Sequence, residues 1–257
     1  MLSSNPTLSE STFAGLGRRA DVVTEDESMS IVGATNKTLF LLLLCVGTAT
    51  FSWGAATSGA SYTMGLLWGG AIGGLVVAFA TVFKPDWSPI TAPIYAVLEG
   101  LFLGAISAFY EQSFGNQTAG GFPLDGIVVQ AVGLTMGVAA SMLLLYRFRV
   151  IRVTEKLRAG VLMATGAVML FYLVSIGLGL FGVSMPLLHS SGPLGIGLSL
   201  LIVGIASFNL LLDFDLIERG AESGAPKHME WYAGFALLTT LVWLYLEILR
   251  LLAKLRR

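Results

Sequence analysis

Four carboxylates in this chain stand among apolar neighbours, where an ionised group is expensive. They are Glu99, Asp213, Asp215 and Glu247. An acid in such surroundings can exchange a proton, donate a hydrogen bond while protonated, or offer its oxygens to a hard cation such as Ca²⁺. Other reactive types are sparse. The two histidines, His189 and His228, fall in different loops on opposite faces of the membrane order derived below, which excludes a shared metal site. Cys45 is the single cysteine and sits in an apolar run, so neither an internal disulfide nor a thiolate metal cluster can form. There is no HExxH pair, no Walker loop and no soluble domain to hold ATP. Ser107 and Ser141 lack the histidine partner that a nucleophilic serine needs. The sequence therefore reads as a protein that is not an enzyme and needs no cofactor.

Each acid has two readings. Glu99 follows Tyr95 by one turn and serves either as a protonated hydrogen-bond donor between helices or as a station on an ion or proton path. Asp213 has Asn209 one turn before it on the same face, which makes a polar strip. An acid near a helix C-terminus opposes the macrodipole, so capping does not account for it. Asp215 lies closer to the end of its segment at Arg219-Gly220 and reads as a solvated interfacial charge or a second path residue. Glu247 either belongs to the path or is neutralised by Arg250 at i+3.

The elements that position these residues follow from composition. Of 257 residues, 55% are hydrophobic and only 12% charged, and the mean hydropathy is +0.79. A soluble domain carries about 25% charged residues, so this chain has too few to cover a water-facing surface. Net charge is −1, which offers no basic field to nucleic acid. Residues 1–37 are polar, acidic and aperiodic; they predict a disordered or loosely attached cytosolic tail and do not form a signal peptide. Residues 38–257 predict an all-α polytopic membrane domain. Seven apolar runs approach the roughly 20 residues that a bilayer crossing needs: 38–56, 62–83, 90–110, 125–146, 159–183, 193–217 and 230–252. Glu99 then lies about 14 Å into the third run, near the midplane. Glycine pairs Gly69/Gly73, Gly70/Gly74 and Gly100/Gly104 mark close helix approach, read as packing within the bundle rather than as a dimer face.

Lysine and arginine give the orientation. With a cytosolic N-terminus, inside loops hold eleven of the fifteen, including Arg147, Arg149, Arg152, Lys156 and Arg158, and the three outside loops hold none. Positive-inside therefore places the N-terminus in the cytosol. Arg250, Lys254, Arg256 and Arg257 disagree, since an odd number of spans puts them outside; either the tail tolerates this or the last segment is re-entrant.

Four segments together resemble the Bax inhibitor-1 family, in particular its bacterial branch: Tyr95–Gly104, the basic Arg149–Thr154, the acidic Leu211–Ile217 and the ending Trp243–Leu252. The resemblance covers roughly residues 38–254. It implies a bacterial inner-membrane protein of seven helices with a central last helix, and a pH-sensitive calcium leak. It also implies two proton-sharing carboxylates, one at the end of the sixth helix and one in the seventh, matching Asp213 and Glu247. The family usually has Asp at the second position, and Glu is one methylene longer. The acid that some relatives carry in the second helix has no counterpart in 62–83, and Glu99 in the third stands in its place. Two carboxylates in a low-dielectric space cannot both ionise cheaply, so raising the pH would create repulsion between two helices. Their oxygens, with backbone carbonyls and water, suit a weak Ca²⁺ transit site. A plain hairpin centred near residue 225 would, however, set Asp213 level with about residue 238, and Glu247 about 13 Å further along the axis. Contact therefore needs the sixth helix to run past Asp213 or the seventh to begin near Glu230. Two function classes remain: a cation leak for Ca²⁺ or protons through the bilayer, and a non-conducting regulator or scaffold of other membrane proteins, such as a membrane protease.

Overall fold

A computed structural model describes residues 28–115, 126–182 and 190–256; residues 1–27 of the expected tail and most of the expected outside segment 184–192 lie outside them. Seven described helices are long and apolar enough to cross a membrane: α1 Ile31–Thr57, α2 Thr63–Phe83, α3 Ser88–Phe114, α4 Ile127–Arg147, α5 Glu155–Leu180, α6 Pro193–Glu222 and α7 Met229–Leu255. The protein is an all-α seven-helix bundle. Local chemistry sets several of the starts. Ser30 caps α1 by accepting the Gly33 N–H at 2.9 Å, and Thr154 caps α5 by accepting from Leu157, with Glu155 in the first turn. Pro193 opens α6, where its missing N–H costs nothing.

The last helix is the axis. It packs on α1, α3, α4 and α6, and its buried residues point in every direction, as expected of a helix enclosed on all sides. On one flank Leu41, Tyr95, Phe235 and Leu238 join it to α1 and α3; on the other Ile127, Leu210, Leu244 and Leu249 join it to α4 and α6. Helix α5 is peripheral and packs chiefly on α6. The glycine pairs bring helices together as read from their spacing. A Cβ at Gly70 would stand 2.6 Å from the Leu98 carbonyl oxygen of α3, and one at Gly104 would stand 2.8 Å from the Ala49 carbonyl carbon of α1. Gly69 faces open space, so the working pair on α2 is Gly70/Gly74.

Two boundaries differ most from those read in the apolar runs. Helix α1 begins at Ile31 rather than 38, and α6 continues to Glu222 rather than 217. The segment just before α1 is tied to the turn between α6 and α7 and to the head of α7. Met29 donates its N–H to the Ala225 carbonyl, and Ser30 gives both its N–H and its hydroxyl to Glu230, each at 3.0 Å. Lys227 closes the cluster 3.0 Å from the same carboxylate, which is 1% exposed.

Candidate functional site

Because α6 extends to Glu222, Asp213 lies nine residues, or about 14 Å, inside its C-terminal end. Residues two apart on a helix point to nearly opposite sides, and the two α6 acids separate accordingly. Asp213 turns toward α7, where Thr240 faces it. Its Oδ2 is buried and has no hydrogen-bond partner, a condition shared by no other buried side-chain atom among the described residues. Thr240 cannot fully satisfy it, because its hydroxyl also donates to the Ala236 carbonyl. Asn209, expected to continue the polar strip, is engaged by Thr165 of α5 at 2.8 Å.

Asp215 turns the other way and is 6% exposed, so it is not the solvated charge that its sequence position suggested. The longer α6 carries it inside the bundle, where Arg158 of α5 and Arg219 one turn on both bind it, the latter at 2.9 Å. Glu218 meets the Tyr146 hydroxyl of α4 nearby.

Glu99 is 9% exposed in the middle of α3, with one oxygen turned toward Gly74 of α2. Tyr95 lies close to it, one turn before on the same helix, and Cys45 stands near both. Tyr95 also faces Thr239 of α7. A line of polar side chains therefore crosses the apolar interior from Glu99 through Tyr95 to Thr239, and continues from Thr240 to Asp213 on the far side of α7.

Glu247 sits elsewhere. Arg250 binds both of its oxygens at 2.9 Å, Tyr172 of α5 donates at 2.7 Å and Trp243 at 3.2 Å. Arg250 also bonds the Tyr172 hydroxyl and lies 5.1 Å from its ring centroid. The local neutralisation that i+3 spacing allows is thus formed. The hairpin geometry holds to within two residues, since Asp213 is level with Thr240 rather than 238. Glu247 lies seven residues beyond, about 10 Å along α7. No hydrogen bond among the described residues joins Asp213 to Glu247, and no group of three acids, histidines or cysteines there could hold a metal ion. What is available to a cation is one open carboxylate oxygen with hydroxyls near it, a set that suits passage better than capture.

Sequence reasoning missed Thr239 and Thr240, whose adjacent hydroxyls in the centre of an apolar span were the available signal. It also missed Arg158 and Tyr172, which reach their acids from 57 and 75 residues away, a distance no local pattern reveals. Lys254 is a further surprise: it is 6% exposed and donates to the Gly195 carbonyl and the Ser199 hydroxyl at 2.9 and 2.8 Å.

Comparison with curated proteins and with solved structures returned no match. The family model described as Bax inhibitor 1 like matches residues 5–257, essentially the entire chain. With that coverage and seven membrane-spanning helices around a buried last one, this chain belongs to the Bax inhibitor 1 like family.

Proposed function

We propose that this protein is a pH-sensitive leak pathway for cations, Ca²⁺ or protons, gated by carboxylates within the bilayer. In this reading it resides in a bacterial inner membrane with its N-terminus in the cytosol. The observation that carries the reading is the buried, unpartnered Oδ2 of Asp213. A protonated acid can rest there at the cost of one unmade hydrogen bond. The ionised acid cannot, because an isolated charge in apolar surroundings demands a counter-charge or water. Loss of the proton therefore favours either entry of a cation or separation of α6 from α7 to admit water, and both open a path. The polar line through Thr239, Tyr95 and Glu99 supplies further oxygens across the interior. Glu247 completes the gate indirectly in this proposal, through the helix it shares with Thr240, while Arg250 holds its charge.

Cation uptake by proteoliposomes containing only this protein tests the reading. The expected result is flux that rises as the pH is raised from about 5 to about 8 and that loses this dependence in Asp213→Asn. A purified protein that passes neither Ca²⁺ nor protons at any pH in that range would overturn it.

A further inference from the structure

The seam between α6 and α7 carries polar and charged groups at regular depth. Thr240, Glu247 and Lys254 recur one heptad apart on α7, which keeps them within about 40° of one face. On α6, Asp213 and Ser199 lie two heptads apart. Asp213 faces Thr240, and Lys254 donates to the Ser199 hydroxyl at 2.8 Å and to the Gly195 carbonyl at 2.9 Å. Lys254 therefore stands about 21 Å along the seam from Asp213, at the C-terminal end of α7.

Its charge is unbalanced. No other lysine or arginine among the described residues is buried. Both of its acceptors are neutral, and no ion pair joins its ammonium to a carboxylate among the described residues. The charged groups that act on it are Arg250 and Glu247, with opposite signs, and those two are paired with each other. Glu111 of α3 is committed to the Val128 N–H of α4. The helix dipoles add nothing net: Lys254 stands at the negative end of α7 and reaches the positive end of α6, each worth about half a charge. A hydrogen-bonded pin between two helices needs no charge, and a buried one is costly.

The chemistry of an ammonium at this place separates two kinds of ion. It repels a divalent cation twice as strongly as a monovalent one at equal distance, and no acid stands beside it to ligate Ca²⁺. A proton needs no free passage. The ammonium releases a proton to water at the α7 C-terminal side, and the amine left behind takes one from the seam. One proton has then crossed, and Lys254 is back in its starting form. A guanidinium keeps its proton and could not do this.

We propose that Lys254 closes the far end of the pathway to Ca²⁺ and relays protons across it. The inference rests on the leak proposed above and names protons as its cargo.

Proteoliposomes of the full chain, loaded with a pH dye or a Ca²⁺ dye and assayed in parallel, test it through the ratio of the two fluxes. The wild type should pass protons and exclude Ca²⁺. Lys254→Gln removes the charge and offers a further oxygen, so its ratio of Ca²⁺ to proton flux should rise about tenfold or more. Lys254→Arg keeps the charge but cannot exchange its proton, so its proton flux should fall about tenfold or more with Ca²⁺ still excluded. Where Lys254→Gln fails to fold, Ser199→Asp neutralises the ammonium in place and should admit Ca²⁺ likewise. A ratio unchanged from wild type in the neutralised variant, or Lys254→Arg passing protons as the wild type does, would overturn the inference and leave the leak standing. Vesicles that pass neither ion, in the wild type and in the neutralised variant alike, would overturn the leak itself and this inference with it.

Discussion

At Asp213 the cost of one unpaired oxygen separates function from stability. A buried acceptor without a partner costs about 1–3 kcal/mol, so Asp213→Leu should raise the melting temperature in detergent while abolishing the pH response of flux. A loss of stability instead would show that the acid is satisfied in the native membrane. Glu247 presents the opposite case. Removing Arg250 leaves its carboxylate buried beside only the Tyr172 and Trp243 donors, and breaking a buried pair on one side costs about 3–5 kcal/mol. Arg250→Gln and Glu247→Gln should therefore each destabilise strongly, and the double mutant by much less than their sum. The gate itself is tested by the pair Asp213→Asn and Glu247→Gln in flux. Because their coupling has to pass along about 10 Å of α7, the double mutant should flatten the pH response no further than Asp213→Asn alone. Additive effects would remove Glu247 from the gate. Glu99→Gln keeps shape and removes charge. It should lower flux and leave the unfolding free energy within about 0.5 kcal/mol of wild type, whereas unchanged flux at every pH would return Glu99 to a packing role.

The α6–α7 hairpin is held by residues that hydropathy alone places outside the membrane. Ser30, at the head of α1, binds Glu230 at the head of α7 through two hydrogen bonds, and Gly33 lies so close to that carboxylate that a Cβ there would collide with it. Beneath them Met29, Ala34, Ile217 and Ala233 form a small apolar cluster. Gly33→Ala or Glu230→Gln should loosen the turn between Ser223 and His228, costing about 1–3 kcal/mol. Hydrogen exchange at the amides of Gly224 and Ala225 should then accelerate while the α7 interior stays protected. Uniform acceleration along the chain would mean that the strap is part of the global fold rather than a local fastening. This region also shows where reading the sequence stops. The seven spans were legible because each is an apolar run of membrane length, and the acids stood out because they interrupt such runs. The first turns of α1 and the last turns of α6 carry no such signal, since both mix polar with apolar residues and stay largely exposed. The distant partners of Asp215 and Glu247 were hidden because Arg158 and Tyr172 meet them only after α5 has docked on the bundle.

At the scale of the molecule, the basic residues of the loop after α4 and those at the end of α7 have different fates. Those of the loop after α4, among them Arg149 and Arg152, are exposed or half-exposed near the bundle's edge. Those at the end of α7 are used by the fold: Arg250 binds Glu247, Lys254 is buried against α6, and Arg256 donates to the Phe114 carbonyl at 3.0 Å and to Gln130 at 2.9 Å. The conflict between the C-terminal charges and an odd number of spans loses its force, because charges bound within the bundle differ from the free loop charges that the positive-inside rule counts. Helix α7 also runs unbroken from Met229 to Leu255, about 40 Å, long enough to cross the bilayer and leaving no place for a re-entrant turn. The N-terminus and C-terminus should thus lie on opposite sides. With Cys45 changed to Ser, Arg152→Cys in sealed inside-out vesicles should react with an impermeant maleimide, and Ser190→Cys and Arg257→Cys should react only in right-side-out vesicles. Labelling of the Arg152 position from outside would invert the orientation and move the Asp215 ion cluster to the outer side of the membrane. Labelling of positions 152 and 257 from the same side would contradict the seven-span bundle itself.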